Sequence, residues 1–145
     1  MSAEVLSEDS IVLAGTARSR DEAITEAGRL LVAAGAVDDS YVEAMHEREK
    51  SVSTFMGNGL AIPHGTNAAK PSIRRTAISF VRYDEPIDWL GQPAEFVVGI
   101  AGAGDDHLSV LSSLAGIFTD DAAIERLRSA GTPADVLAAL AEVSA

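Results

Sequence analysis

Apolar and polar positions along the chain follow two periods, one typical of strands and one typical of helices. Short runs of successive apolar residues predict strands at 11–14, 60–62, 76–83 and 95–101. The run from Val97 to Ala101 is apolar at nearly every position, which predicts burial on both faces of a sheet. Ile24, Ala27, Leu31 and Ala34 instead share one face of a helix.

Capping signals set the predicted helix boundaries. Ser19, followed by Asp21 and Glu22, starts the first helix, which Gly35 ends. A second helix begins at Asp39 or Ser40 and runs to about Lys50, with Tyr41, Val42 and Met45 as its apolar stripe. A third follows Asp105 and Asp106, and its predicted inward residues are Leu111, Leu114, Ala115 and Phe118. Two shorter helices are predicted at 121–128 and 132–143, the last with Thr132 as N-cap and Pro133 at the first helical position.

The segments between these elements are predicted to be loops. Residues 51–59 form one such loop, with Gly57-Asn58-Gly59 as its flexible end. Pro63 ends the strand at 60–62, because the residue before a proline is pushed toward extended geometry. Helices on both sides of buried strands imply an α/β layered domain, and 145 residues fit a single domain over 1–145.

Charge and cysteine content narrow the possible functions. The formal net charge is −11, so the chain lacks the basic surface of a nucleic-acid-binding protein and is repelled by anionic membranes. The chain has no cysteine, which excludes disulfides, thiolate metal sites and a cysteine nucleophile. We find no signal peptide and no apolar run long enough for a membrane span.

Three charged or titratable residues are candidates for one anion site. His64 follows a proline in a glycine-flanked turn, where it is either a solvated turn residue or a nucleophile whose neutral imidazole attacks phosphorus. His107 lies in the first helical turn on the line of the apolar stripe, where it either caps the core or faces an anion. Arg48 lies at the edge of an inward helix face, where the aliphatic part of its side chain packs and its guanidinium group either reaches water or binds an anion. His46 is predicted to be exposed and without a role.

Other site types find no support in the sequence. There is no phosphate-binding loop of the G-x-x-x-x-G-K-[ST] type, no G-x-S-x-G elbow and no H-E-x-x-H pair. The two G-x-G pairs, at 57–59 and 102–104, lack the third glycine of a dinucleotide fingerprint. A metal site of three histidines would require residues that are widely spaced in the sequence.

Three segments together resemble the mannitol/fructose-type enzyme IIA family of the sugar phosphotransferase system. The stretch from Ser53 to Thr66 is similar to the active-site signature of that family. The stretch from Tyr41 to Glu49 resembles its arginine-bearing helix, and Asp105 to Leu108 resembles its second-histidine segment. The order and spacing match, and the similarity runs from about Ile11 to Leu140.

The resemblance implies a fold, a reaction and partners. The fold is a single α/β domain with a mixed, mostly parallel β-sheet flanked by helices on both faces. His64 corresponds to the phosphorylated nucleophile, His107 to a second histidine that stabilises the phosphoryl group, and Arg48 to an arginine that contacts its oxygens. The phosphoryl donor is the carrier protein HPr, and the acceptor is a cysteine of enzyme IIB in a membrane IIBC transporter. No cofactor or metal is implied, and the location is the cytoplasm.

The resemblance also leaves alternatives open. Thr66 and the block at 105–107 are more similar to the mannitol branch than to the fructose branch, which remains possible. A nitrogen-type homologue would instead regulate other proteins according to its phosphorylation state. Because a carrier must protect its phosphohistidine from water, we expect a shallow and largely apolar depression, with Phe55, Met56, Leu60 and Ile62 as candidates for its rim or support.

Overall fold

The computed structural model describes residues 5–141 and residue 143 of the chain. In this part of the chain the strands are β1 (Ile11–Val12), β2 (Phe55–Gly57), β3 (Leu60–Ala61), β4 (Ala77–Trp89) and β5 (Gln92–Ala101). The helices are α1 (Arg20–Ala33), α2 (Ser40–Ser51), α3 (Asp106–Ile117), α4 (Asp121–Ser129) and α5 (Pro133–Ala139). Two 3-10 helices cover Glu8–Ser10 and Asn67–Ser72.

The strands form one mixed sheet in the order β1-β4-β5-β3-β2. β1 runs parallel to β4 and β3 parallel to β5, whereas β4 with β5 and β2 with β3 are antiparallel. The α/β class and the mixed sheet are confirmed, but parallel pairings are only two of the four and do not predominate. The reason is the two-residue turn at Leu90-Gly91, which returns the chain and makes β4 with β5 the longest pairing.

Helices cover both faces of the sheet, as predicted, and each face has its own core. Successive residues of β4 and β5 point to opposite sides, so Phe80, Phe96 and Val98 pack under α3 and α4, whereas Val81 and Val97 pack under α1 and α2. This explains the uninterrupted apolar run in β5: both sides of that strand are buried.

Side-chain caps confirm the predicted starts of α1 and α5. The Ser19 hydroxyl accepts a hydrogen bond from the Glu22 amide, and Thr132 accepts one from Asp135 before α5. α5 ends at Ala139, so the prediction of a helix to Val143 was too long. In α3 the buried residues are Val110, Leu114 and Ile117; predicted Phe118 is buried just beyond the helix, and Leu111 and Ala115 are half-buried.

The segment at 51–59 is not a plain loop, because it contains β2. Gly57, Asn58 and Gly59 all have positive φ, of 103°, 53° and 79°, and they turn the chain tightly from β2 into β3. The Asn58 side-chain amide also donates to the Phe118 carbonyl at 2.7 Å. The predicted flexible end is therefore a hydrogen-bonded turn.

Among the described residues, no helix combines the length and the apolar character that crossing a membrane requires.

Candidate phosphoryl site

His64 lies three residues beyond β3, which ends at Ala61, one residue earlier than the predicted strand. The Pro63 carbonyl accepts from the Ile100 amide at 3.0 Å, and His64 makes an isolated parallel bridge with Ile100 of β5. The half-buried ring places Nδ1 2.8 Å from the Ile62 carbonyl oxygen. Because a carbonyl only accepts, Nδ1 carries the proton and Nε2 holds the free lone pair of a neutral ring.

Gly65 makes room for a tyrosine rather than for open space beside the imidazole. A Cβ at this position would lie 2.5 Å from Cε1 of Tyr41, a distance that real Cβ contacts do not reach. The Gly65 amide donates to the Tyr41 hydroxyl at 2.9 Å, so the turn is packed against α2. A glycine is therefore needed at position 65 because of the close approach of Tyr41.

His107 lies next to His64, in the first turn of α3. The two ring centroids are 4.7 Å apart and the planes are inclined by 57°. Gly102 permits this proximity, since a Cβ there would lie 2.6 Å from the Cα of His107. The chain therefore passes from β5 into α3 through a contact that only glycine allows.

Arg48 reaches the same place from the last turn of α2. Its Nη1 donates to the Val52 carbonyl at 2.7 Å, which satisfies a backbone oxygen at the helix C-terminus. The guanidinium has five N–H donors, so this bond leaves others for an anion. The structure thus brings together the three residues that the sequence singled out.

These residues line a depression of about 160 Å³. The other lining residues are Tyr41, Gly65, Thr66, Asn67, Lys70, Ile73 and Gly102. The lining is mostly polar and cationic and includes no carboxylate, so the expectation of an apolar depression was wrong. Leu60 and Ile62 are buried in the core, and neither Phe55 nor the exposed Met56 lines the depression.

Burial and nearby cations keep both rings neutral. Burial lowers the pKa of His64, the hydrogen bond to Ile62 opposes this, and the positive charge of Arg48 lowers it further. Burial also lowers the pKa of His107, helped by His64, Lys70 and Arg48. Two neutral imidazoles beside two cationic side chains form a site suited to a doubly negative group.

Sequence reasoning missed two polar residues at this site. Lys70, in the 3-10 helix at 67–72, lines the depression and donates from Nζ to the Gly104 carbonyl at 2.6 Å. Tyr41 was assigned only to an apolar stripe, yet its hydroxyl bonds to both Gly65 and Ile100. A buried tyrosine in place of an aliphatic residue was the available signal, because its hydroxyl needs a partner.

His46 is not on an exposed face, contrary to the prediction. It is half-buried, and its Nε2 lies 2.8 Å from the Thr25 hydroxyl, which connects α2 to α1. It is not among the residues that line the depression. Residues 5–141 and 143 contain no group of three or more His, Asp or Glu side chains placed to hold a metal ion.

Comparison with known proteins identifies relatives over nearly the whole chain. The family model described as "Phosphoenolpyruvate-dependent sugar phosphotransferase system, EIIA 2" matches residues 4–143. The mannitol-specific phosphotransferase enzyme IIA component of Halalkalibacterium halodurans is 46% identical over 144 residues, covering 99% of both chains. The corresponding protein of Bacillus subtilis is 42% identical over 142 residues, covering 97% of this chain and 99% of the other.

Solved structures support the same relationship. The crystal structure of mannitol IIA from Escherichia coli matches with a TM-score of 0.83 at 37% identity, covering 91% of this chain and 96% of that one. A complex of the Escherichia coli mannitol IIA with phosphorylated IIB contains a chain that matches with a TM-score of 0.86 at 36% identity. The match covers 93% of this chain and 96% of that one. The nitrogen regulatory protein IIA-Ntr of Neisseria meningitidis matches with a TM-score of 0.78 at 30% identity, covering 94% of this chain and 96% of that one.

The family model covers the strands, helices and depression described above, and relatives above 40% identity extend over almost the full length. The resemblance seen in the sequence is confirmed: this chain belongs to the EIIA 2 family of the phosphoenolpyruvate-dependent sugar phosphotransferase system.

Proposed function

We propose that this chain, as one enzyme IIA domain over residues 1–145, accepts a phosphoryl group on Nε2 of His64 and passes it to enzyme IIB. The observation that carries the proposal is the hydrogen bond from Nδ1 of His64 to the Ile62 carbonyl, at 2.8 Å. This bond fixes the tautomer and leaves the Nε2 lone pair as the nucleophile. No other hydrogen bond to this ring occurs among the described residues.

Acceptance needs no proton transfer. Nε2 attacks the phosphorus of the donor phosphohistidine, so that the new N–P bond forms as the donor N–P bond breaks and the donor ring leaves. His64 then carries an imidazolium charge, which the Ile62 carbonyl stabilises through the retained Nδ1 proton. The reverse displacement by a thiolate returns His64 to the neutral ring.

We assign the stabilisation of the phosphoryl oxygens to three side chains that line the depression with His64. Arg48 supplies a planar fork of donors, and Lys70 supplies a second positive charge. The ring of His107, 4.7 Å from that of His64 between centroids, supplies an N–H donor. The depression includes no carboxylate that could activate water, which suits a carrier whose phosphohistidine must survive until transfer.

The partners follow from the relatives. The curated proteins that match are named mannitol-specific enzyme IIA components, and one solved match is a complex with phosphorylated enzyme IIB. We therefore assign mannitol as the sugar, a IIB cysteine as acceptor and a membrane IIBC transporter as the destination. Phosphorylated HPr is the donor that the family resemblance implies, and the site of action is the cytoplasm.

A regulatory role is the second candidate, because the nitrogen regulatory protein IIA-Ntr of Neisseria meningitidis shares this fold at 30% identity. The mannitol IIA structures are more similar, at 36% and 37%. Transfer of the phosphoryl group to a mannitol IIB domain separates the two roles: a transport component transfers it rapidly, whereas a regulator retains it.

The test is intact mass after incubation with phosphoenolpyruvate, enzyme I and HPr. We expect an acid-labile gain of one phosphoryl group, which is lost in His64→Ala and kept in His46→Ala. His46→Ala is the matched control because that histidine bonds to Thr25 and does not line the depression. Retained labelling in His64→Ala would refute the assignment of His64.

Variants of the neighbouring residues test the remaining assignments. We expect His107→Ala and Arg48→Ala to fold, to accept the phosphoryl group slowly and to transfer it poorly to IIB. Removing one such charged or hydrogen-bonding group costs about 100-fold or more in comparable sites. Wild-type transfer by either variant would remove that residue from the mechanism.

A further inference from the structure

We propose that Tyr41 is a positioning residue that fixes the backbone on the C-terminal side of His64 and thereby aims Nε2 at the phosphoryl group. The inference about transfer rests on the proposed function. The inference about the geometry of the ring does not, and it has its own test below.

The Tyr41 hydroxyl makes two hydrogen bonds in a buried setting. It donates to the Ile100 carbonyl at 2.8 Å and accepts from the Gly65 amide at 2.9 Å, and the side chain is only 2% exposed. Burial raises the pKa of this phenol, with the Gly65 hydrogen bond opposing it, so the hydroxyl keeps its proton and remains a donor. Ile100 is fully buried, so its carbonyl has no water as an alternative partner if the tyrosine hydroxyl is removed.

The position of the hydroxyl in the sheet is specific. His64 and Ile100 form a parallel bridge, in which Ile100 donates to the Pro63 carbonyl and Gly65 would donate to the Ile100 carbonyl. The Tyr41 hydroxyl lies between the Gly65 amide and the Ile100 carbonyl and links them by two hydrogen bonds. A side chain from α2 therefore completes the pairing of β5 with the turn that bears His64.

Both peptide groups that flank His64 are held as a result. The Pro63 carbonyl is fixed by the Ile100 amide, and the Gly65 amide is fixed by Tyr41. These bonds restrict the backbone dihedrals of His64, and the Nδ1 bond to Ile62 then restricts the ring. The tyrosine ring also packs against Gly65, where even a Cβ would clash at 2.5 Å.

Tyr41 also relates His64 to Arg48. Tyr41 and Arg48 are seven residues apart in α2 and so share one helix face. Anchoring this helix at Ile100 therefore sets the position of the guanidinium relative to the imidazole. Loss of the anchor is expected to change both groups together, and a displacement of about 1 Å can cost about 100-fold in rate.

The experiment compares Tyr41→Phe with Tyr83→Phe. Tyr83 is a matched control, because it is 4% exposed, lies on the same face of the sheet, and its hydroxyl also donates to one acceptor, Glu26, at 2.6 Å. Each substitution deletes one buried hydroxyl and keeps the ring. Only Tyr41→Phe removes a bond to the His64 turn.

The first readout is the rate of phosphorylation of His64, with phospho-HPr and with phosphoramidate, a small donor that needs no docking. We expect Tyr41→Phe to react about 10- to 100-fold more slowly with both donors, with KM for HPr unchanged, whereas Tyr83→Phe reacts like the wild type. An equal loss in transfer to IIB is expected, since both steps use the same geometry.

The second readout needs no phosphoryl transfer. Nitrogen-15 NMR of the imidazoles follows the tautomer and the titration of His64. Burial lowers the pKa of His64, and in Tyr41→Phe we expect this pKa to rise toward the ordinary 6.5, because the loosened turn admits water. If His64 keeps its wild-type tautomer and titration in Tyr41→Phe, or if Tyr83→Phe changes them equally, the positioning role is refuted. A wild type that accepts no phosphoryl group would refute the proposed function while this readout still tests Tyr41.

Discussion

The buried carboxylate of Glu49 gives a sharp test of what holds the site-bearing end of α2. Glu49 is 4% exposed and accepts three hydrogen bonds. They come from the Thr54 amide at 2.8 Å, the Thr54 hydroxyl at 2.6 Å and Nε1 of Trp89 at 3.0 Å. The residue directly follows Arg48, so these bonds also fix the backbone that carries the guanidinium.

We expect Glu49→Ala to lower the free energy of unfolding by about 4 kcal/mol. The substitution leaves three buried donors without an acceptor, and each such group costs about 1–3 kcal/mol. The costs are not additive, because the Thr54 hydroxyl can rotate to a new partner and water can enter the space left by the side chain. With a urea m-value of about 2 kcal/mol per molar, the unfolding midpoint falls by about 2 M.

Glu49→Gln is the matched control, because its amide has nearly the same shape. In the wild type the Thr54 amide and Trp89 share Oε2 of Glu49, and the glutamine oxygen can accept from both in the same way. The glutamine NH₂ group takes the place of Oε1 and can donate to the oxygen of the Thr54 hydroxyl. The two N–H donors keep their acceptor, and the Thr54 hydroxyl keeps a hydrogen bond as an acceptor, although its own proton must find a new partner and charge assistance is lost. We expect a cost of about 1–2 kcal/mol.

Urea unfolding measures both variants, followed by far-UV circular dichroism and by the fluorescence of Trp89, the one tryptophan of the chain. The Trp89 indole bonds directly to Glu49, so its emission also reports the local contact in the folded state. A cost for Glu49→Ala within about 1 kcal/mol of that for Glu49→Gln would contradict the argument. It would mean that the three donors find other partners.

Two further predictions concern pH and the β4–β5 turn. Burial lowers the pKa of both His64 and His107 from the ordinary 6.5, so the rate of phosphorylation by phosphoramidate should decline at low pH, as His64 takes up a proton, with a midpoint below 6.5. A midpoint at or above 6.5 would contradict this. Leu90 is 64% exposed and has a φ of 55°, a left-handed conformation that asparagine adopts more readily than leucine. Leu90→Asn, before Gly91, should therefore raise the free energy of unfolding, measured in urea, by about 1 kcal/mol. Unchanged or lower stability would contradict this reasoning.

Local patterns predicted most of the elements. The caps at Ser19 and Thr132 and the alternation of apolar positions depend on residues close in sequence, so they can be predicted without a tertiary structure. β2 was missed because three residues give too short a pattern, and its pairing with β3 depends on a glycine-rich turn. The balance of parallel and antiparallel pairing was also misjudged, because strand order is a long-range property.

The candidate site divides in the same way. His64, His107 and Arg48 were identified from the sequence, through helix position, the turn and a family resemblance, and the structure brings them to one depression. Lys70 was missed because nothing in its local sequence distinguishes it from a surface lysine. Its position at the depression depends on the fold, which brings it to the Gly104 carbonyl, 34 residues away in the chain.

The sequence by itself therefore determined the family, the layered α/β class and the identity of the candidate nucleophile, because these are encoded in residue types and local spacing. Only the tertiary structure decided which nitrogen of His64 is free, why Gly65 must be glycine, and which groups the Tyr41 hydroxyl contacts. Each of these depends on a contact within a few ångströms between segments far apart in the chain, such as Tyr41 with Ile100. Hydrogen bonds and steric contacts act at that range, and sequence spacing does not contain it.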